Sequence, residues 1–341
     1  MTDEPEILFE RRGAVGLITL NRPKALNALT HGMVLAMHVR LHHWAGDDKV
    51  KAVAIRGAGE RAFCAGGDIR SLYDSGRAGT AYALDFYRDE YRLNAFIKHF
   101  PKPYVALLHG FVMGGGGGVS VHGSHRVADE TTVFAMPETG IGLFPDVGGS
   151  FFLPRMPGEA GMYVALTGAR LKTADALHAG VATHVTADRE ALLARLAEGE
   201  APDAALDGAD GAEAPLAALR GRIDTIFAAP SVEAVLERLE RDGSEWALDI
   251  ANTIRAKSPT ATKLAFRQIR EGRSLDFDDC MRMEFRMVNR VVAGHDFYEG
   301  VRATIVDKDG APQWRPASLA EVRDRDIDAY FAPLGEKELP L

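Results

Sequence analysis

YVALLHGFVMGGGGGVSVHGSHRVADETTVFAMPETGIGLFPD, the stretch from Tyr104 to Asp146, joins a short apolar strand to five consecutive glycines, a second apolar run and two carboxylates, Glu138 and Asp146. Glycine loses more conformational freedom on folding than any other residue, so the run Gly114 to Gly118 directly after a strand needs a reason. Close approach of the backbone to a ligand is one. A helix beginning over Gly115 to His122 would present N–H groups without intrahelical partners, and the positive end of its dipole, to whatever sits there. That is a site for an oxyanion.

Glu138 follows Pro137 after the strand-like Val133 to Met136, and Asp146 lies eight residues further on. The apolar neighbours Phe134, Met136, Ile141, Leu143 and Phe144 predict desolvation of both carboxylates and raised pKa values, a setting for acid and base work. Taken singly, each residue reads better as a cap, Glu138 of a turn and Asp146 of the helix after it.

Upstream, Lys51 to Arg56 reads as a strand, and Gly57, Gly59, Phe63, Cys64, Ala65, Gly66, Gly67 and Asp68 as the glycine-bearing loop after it. Ile69 to Tyr73 begins a helix, so Gly67 occupies a strand-to-helix turn just as Gly115 does. Two such turns on neighbouring parallel strands would aim two backbone N–H groups at one point, the geometry of an oxyanion hole. Two ordinary tight turns would have the same spacing.

Glu6 to Glu10 and Ala14 to Leu20 read as an opening hairpin. From Thr30, a candidate N-cap, the residues Met33, Val34, Met37, Leu41 and Trp44 share one helical face. His38 and His42 on that helix have a metal-compatible step, but no acidic ligand accompanies them, and a solvated polar face is favoured. Tyr82 to Phe100 is expected to be helical, with Leu84, Tyr87, Tyr91, Leu93 and Phe96 on the buried face and Glu90 among the polar positions.

Downstream, short helices are expected at Gly158 to Leu166 and Thr173 to His178. The Ala-, Asp-, Glu- and Gly-rich segment from Glu198 to Ala217 lacks periodicity and reads as a linker or exposed loop. Helical patterns follow at Val232 to Leu239, Trp246 to Ile254, Pro259 to Ile269 behind Ser258 as N-cap, and Asp278 to Val291. The expected organisation is an α/β core over residues 1–200, a linker or loop over 201–230, and a C-terminal helical module over 231–341.

With 341 residues, of which 46% are hydrophobic, the chain can bury a full core. A net charge of −8 argues against nucleic acid held by a general positive field. No apolar run reaches the length of a membrane span. The N-terminus carries no charged-then-apolar leader, and the two cysteines, Cys64 and Cys280, show no metal spacing and fit a reducing compartment, so a cytoplasmic location is expected. There is no G-x-S-x-G elbow, no Walker sequence and no G-x-G-x-x-G spacing. Gly123, Ser124 and His125 lack the strand-turn-helix setting of a nucleophilic serine, and Cys64 reads as a packing residue.

Four segments together resemble the crotonase (enoyl-CoA hydratase/isomerase) superfamily: NRPKALNAL at Asn21 to Leu29, FCAGGDI at Phe63 to Ile69, KPYVALLHGFVMGGGGG at Lys102 to Gly118, and MPETGIGLFPDVGG at Met136 to Gly149. The resemblance implies a ββα spiral core, a CoA thioester substrate, and an oxyanion hole made by the N–H groups of Gly67 and Gly115. Within the superfamily the chain is most similar to the 3-hydroxyisobutyryl-CoA hydrolase subfamily, through SPTATKLAFRQIREG at Ser258 to Gly272 and GHDFYEGVRATIVDKDGAPQWRP at Gly294 to Pro316. Hydratases of the superfamily use two glutamates, one just after the glycine run and one at the position of Glu138. Here the first position is Gly118, which argues against efficient hydration.

This similarity implies thioester hydrolysis in valine breakdown, with Glu138 as base or nucleophile, Asp146 assisting by protonation or orientation, and Glu90 lining the acyl pocket. Lys24, Ala25 and Ala65 are implied neighbours of the CoA nucleotide. No metal and no cofactor is implied, CoA being part of the substrate. Superfamily members are often trimers or hexamers, which leaves a homo-oligomer open. An enoyl-CoA isomerase or hydratase using Glu138 is the alternative, and a non-catalytic CoA-binding protein is the third reading.

Overall fold

Strands β1 (Ile7–Arg12) and β2 (Val15–Leu20) form the expected opening hairpin, paired antiparallel from Ile7 against Leu20 to Arg12 against Val15. The computed structural model describes residues 4–206 and 213–341. Every residue of β2 is buried, because this strand is covered on both faces, and its sequence is accordingly apolar at every position but Thr19 rather than alternating.

The remaining strands arise in pairs. β3 (Ala52–Gly57), β5 (Tyr104–Leu108) and β7 (His125–Ala128) each lead, within a few residues, to a shorter strand: β4 (Ala62–Cys64), β6 (Phe111–Met113) and β8 (Val133–Ala135) respectively. The two-residue strands β9 (Leu171–Lys172) and β10 (His184–Val185) complete two sheets, of order β1-β2-β3-β5-β7-β10 and β4-β6-β8-β9. The first strand of each pair extends the large sheet in parallel and the second extends the small one, also in parallel. Helices separate the pairs, which makes the chain the ββα spiral expected of its motifs.

Contacts divide the described residues into two compact units. The first contains both sheets and takes in the described residues of the spans 1–68, 92–135 and 170–217. The second takes in Ile69–Tyr91, Met136–Ala169 and Ala218–Leu341. Neither unit is contiguous, in contrast to the segments 1–200, 201–230 and 231–341 read from composition. The span 201–230 also holds more structure than a linker would, with helices at Pro202–Ala205 and Pro215–Phe227, while residues 207–212 lie outside the described ones.

In the first unit, alternate residues Val15, Leu17, Ala52, Ala54, Val105, Leu107 and Val127 line one face of the large sheet and pack with Leu192, Leu193 and Leu196 of the helix Arg189–Ala197. That helix, capped by Asp188 accepting from the Ala191 N–H, is absent from the sequence-based expectations. The helix His31–Gly46 starts where expected: the Thr30 hydroxyl accepts from the Met33 N–H, and Met33, Val34, Met37, Leu41 and Trp44 are buried. A Cβ at Gly16 would come within 2.7 Å of the Trp44 ring, so only glycine admits that contact.

The second unit is helical. Ser231, Ser244, Ser258 and Asp276 cap the helices Val232–Asp242, Glu245–Arg255, Pro259–Gly272 and Phe277–Val291 through side-chain oxygens.

Candidate active site

In the first unit, β4 and β6 lie parallel with Cys64 opposite Val112, so the loops after them leave the sheet on the same side. A Cβ built on Gly66 would stand 3.5 Å from the Met113 carbonyl oxygen and 3.8 Å from the Gly115 nitrogen. The two glycine turns are therefore neighbours. Gly66 has φ +117° and Gly114 φ +47°, conformations that glycine adopts at little cost. Among the described residues, neither the Gly67 nor the Gly115 N–H donates to an acceptor, whereas the flanking groups do: Leu29 N–H to Gly66 O at 2.9 Å and Asp68 N–H to Leu29 O at 2.8 Å.

The helix expected from Gly115 to His122 is shorter. It spans Gly115–Gly118, and the Ser120 hydroxyl donates back to Gly116 O at 2.7 Å, closing the turn. So short a helix contributes little dipole, and two free N–H groups are what the turns offer an oxyanion.

Lys24 and Ala25 lie exposed in the one-turn helix Pro23–Ala25, and the Ala65 N–H donates to Leu26 O at 3.0 Å, which ties all three into one neighbourhood. The residue that holds this neighbourhood together is Asn27, which the motif reading did not single out. Its buried amide donates to Ala58 O and Ala62 O at 2.9 and 2.8 Å and accepts from the Arg22 N–H at 3.0 Å. Arg22 in turn pairs with Asp68 at 2.9 Å.

The carboxylates gather in the second unit. Glu138 opens the short turn Glu138–Ile141 and is 5% exposed, with no partner for Oε2. Burial, reinforced by the charge of Asp146, pushes its pKa well above the ordinary carboxylate range, and Lys257 works in the opposite direction. The Lys257 ammonium lies over this turn, 3.2 Å from where a Cβ on Gly140 would be. Burial lowers the pKa of Lys257, partly offset by Glu138.

Asp146 accepts from the Tyr91 hydroxyl at 3.0 Å, and burial pushes it up to about 7 against that hydrogen bond. Glu90, expected among the polar positions of its helix, is instead 2% exposed. Burial and then Asp146 raise its pKa, and its Oε1 has no partner. The same helix, Tyr82–Lys98, buries Phe86, Tyr87, Tyr91, Leu93 and Ile97, whereas Leu84 and Phe96 are only half-buried. Tyr87, Glu90 and Tyr91 fall three and four residues apart and so share a face. The Tyr87 hydroxyl is likewise buried without a partner. Three unsatisfied polar atoms among raised carboxyls are what a site for a polar ligand requires.

A further carboxylate, Glu284, carried no signal in the sequence beyond its helix. It is fully buried and accepts from the Gly148 and Ser150 N–H groups at 2.8 and 2.9 Å and from the Ser150 hydroxyl. Burial pushes it up to about 8.

The residues set aside in the sequence are occupied otherwise. His38 and His42 stack face to face at 4.8 Å, and His42 stacks on Phe96 at 3.9 Å. Ser124, His125 and Asp203 form a chain of hydrogen bonds at 2.8 and 2.9 Å, but the Ser124 hydroxyl also accepts from Tyr104 N–H and faces Tyr104 O, which makes it a strap rather than a nucleophile. Cys64 and Cys280 are buried, and neither forms a disulfide among the described residues. A cleft of 1060 Å³ at the carboxyl ends of the large sheet's strands is lined by none of the candidate residues, and its Arg56 and Arg189 are paired with Glu190 and Asp129. No helix among the described residues is long and apolar enough to cross a membrane.

A family model described as enoyl-CoA hydratase/isomerase matches residues 15–331. The chain is similar to a Danio rerio protein named 3-hydroxyisobutyryl-CoA hydrolase, mitochondrial, at 48% identity over 98% of this chain and 92% of the relative. It is similar to the Homo sapiens protein of the same name at 44% identity, over 98% and 90% of the two chains. Among solved structures it resembles one described as a carnitinyl-CoA dehydratase from Mycobacterium thermoresistibile, with TM-score 0.94 and 42% identity over 99% of both chains. A structure described as an enoyl-CoA hydratase from Rhodobacter sphaeroides 2.4.1 matches with TM-score 0.94 and 41% identity, over 99% of this chain and all of that one.

Proposed function

The chain belongs to the enoyl-CoA hydratase/isomerase family, and from that premise we propose that it is an acyl-CoA thioester hydrolase that converts 3-hydroxyisobutyryl-CoA and water to 3-hydroxyisobutyrate and CoA, a step of valine breakdown. The relatives named as this hydrolase, similar over nearly the whole chain, support the substrate. One observation carries the reaction type. Glu138 is buried with a free carboxylate oxygen, while Gly118 supplies no second carboxylate where hydratases of this family have one. Addition of water across a double bond needs both a base and a proton donor beside the alkene. Attack on a thioester carbonyl needs one activated oxygen and a place for the negative charge.

In this mechanism the Gly67 and Gly115 N–H groups hold the thioester oxygen as it becomes an oxyanion. Glu138 delivers the attack on the carbonyl carbon, either directly, forming an anhydride that water then opens, or by taking a proton from water. Collapse of the intermediate re-forms the carbonyl, breaks the C–S bond and expels the CoA thiolate. The thiolate takes up a proton, which Asp146, with its raised pKa, is suited to supply. Glu90 lines the acyl pocket and bonds the 3-hydroxyl, and Lys24, Ala25 and Ala65 flank the nucleotide of CoA. The mechanism asks for no metal and no cofactor beyond the CoA of the substrate.

The two buried thiols fit a reducing compartment, either the cytoplasm or the mitochondrial interior named for the relatives. Assembly into a homo-oligomer, a trimer or hexamer, is the corresponding proposal for quaternary structure, checked by light scattering.

The deciding experiment measures thiol release from 3-hydroxyisobutyryl-CoA beside hydration of crotonyl-CoA by the same protein. Rapid thiol release with little hydration is expected. Glu138→Gln should reduce thiol release at least about a thousandfold while sparing CoA affinity. Hydration without thiol release would replace this reading by the isomerase or hydratase one, and CoA binding without turnover of either substrate would leave a binding protein.

A further inference from the structure

We propose that Glu284 is a positioning residue that holds the Asp146 loop in its working conformation, an inference that rests on the role given to Asp146 above. Asp146 is followed by Val147 at φ +50° and Gly148 at φ +87°. A β-branched residue in the left-handed region is a conformational outlier that surrounding structure must impose. Gly148, the N-cap of the turn Gly149–Phe152, has no side chain with which to cap it.

Glu284 provides that cap from another helix. Its Oε2 accepts from Gly148 N–H at 2.8 Å, and its Oε1 accepts from Ser150 N–H at 2.9 Å and from the Ser150 hydroxyl. On the other side of Asp146, the Gln268 side-chain amide donates to Pro145 O. The backbone is thus tied one residue before Asp146 and two residues after it, and the Asp146 side chain is tied by Tyr91. All of these contacts are buried, where a lost partner is not replaced by water.

A glutamine at 284 cannot reproduce the arrangement. Its NH₂ would face a backbone N–H donor, so one anchor is lost and the strained Val147 turn is free to relax. The inference can be tested on the full-length protein with Glu284→Gln, Asp146→Asn and Val288→Ala, the last being a buried residue one turn further along the same helix whose apolar side chain makes none of these hydrogen bonds. Thiol release from 3-hydroxyisobutyryl-CoA would give kcat and KM, and denaturant melts would give stability. Glu284→Gln is expected to lower kcat about 10- to 100-fold with KM within about threefold, as displacement of a catalytic group without loss of binding does. Val288→Ala should lose stability and keep kcat.

Should Glu284→Gln fail to fold, Ser150→Ala, which removes one of the three donors, must lower kcat in the same direction by about two- to fivefold, and an unchanged kcat there would overturn the inference. A folded Glu284→Gln with kcat within about twofold of wild type, beside an inactive Asp146→Asn, would overturn it alone. An equal kcat loss in Val288→Ala would reduce Glu284 to a fold-keeping role. Wild-type turnover in Asp146→Asn would instead overturn the assignment of Asp146, and this inference with it.

Discussion

The hydroxyl of Tyr91 donates to Oδ2 of Asp146 at 3.0 Å, and among the described residues it is the one side-chain hydrogen bond acting against the burial that raises the Asp146 pKa. A hydrogen bond to the ionised form favours ionisation. Tyr91→Phe should therefore raise the Asp146 pKa above its value of about 7. The limb of the kcat/KM profile governed by Asp146 is expected to move to higher pH, with a loss of about tenfold at the optimum. A pH-rate profile whose limb stays in place would remove Tyr91 from control of Asp146.

The same raised pKa sets the sign of a stability effect. Asp146 rises from 3.8 to about 7 on folding, so the folded protein binds this proton more tightly than the unfolded chain. The stabilisation is fully present below 3.8 and is lost as pH rises through about 7. Asn at this position carries no charge to bury. Relative to wild type, Asp146→Asn should gain on the order of 1–3 kcal/mol between about pH 5 and pH 8 while losing activity, as measured by urea melts at the two pH values.

Gly66 adopts φ +117° beside the Gly115 nitrogen, and the space around its missing Cβ is of ordinary van der Waals width. Gly66→Ala therefore acts through conformation rather than collision. It should displace the Gly67 N–H, cost about 1–3 kcal/mol and lower kcat about 10- to 100-fold in a protein that still folds. At Gly116 a Cβ would stand 2.2 Å from the Cys64 carbonyl oxygen, and Ala there should instead show as a loss of folded protein. Thermal melts of the two variants, with kcat for the first, check the contrast.

Asn27 satisfies Ala58 O, Ala62 O and Arg22 N–H from a left-handed backbone, φ +57°, that Asn tolerates and Ala does not. Asn27→Ala strands buried partners and adds backbone strain. A loss of about 2–4 kcal/mol is expected, with weaker binding of CoA if the Pro23–Ala25 turn flanks its nucleotide. Denaturant melts and CoA titration measure the two effects separately.

Much of the fold was legible because it is local. The helix of Met33, Val34, Met37, Leu41 and Trp44 and its Thr30 cap follow from a 3.6-residue period and a hydroxyl in the right place. The hairpin, the strands on either side of the glycine loops and the helix behind Ser258 follow in the same way. The helix Arg189–Ala197 was missed although Asp188 precedes its leucines, because the alanine- and acid-rich composition around it resembles a loop.

For the candidate site, the sequence by itself determined which residue types were available: glycines after two parallel strands, Glu138 behind Pro137, Asp146 in an apolar loop, and no carboxylate at Gly118. Only the tertiary structure decided that Glu90 is buried rather than solvated, that the Gly66 and Gly115 turns are adjacent, and that Glu284 reaches the Ser150 N–H across 134 residues of chain. The physical reason is the range of the forces that leave a trace in sequence. Backbone preference and face periodicity act over a few residues and are written as spacing. The burial of a carboxylate and the partner of a buried amide depend on which distant element covers them, and neither has a period.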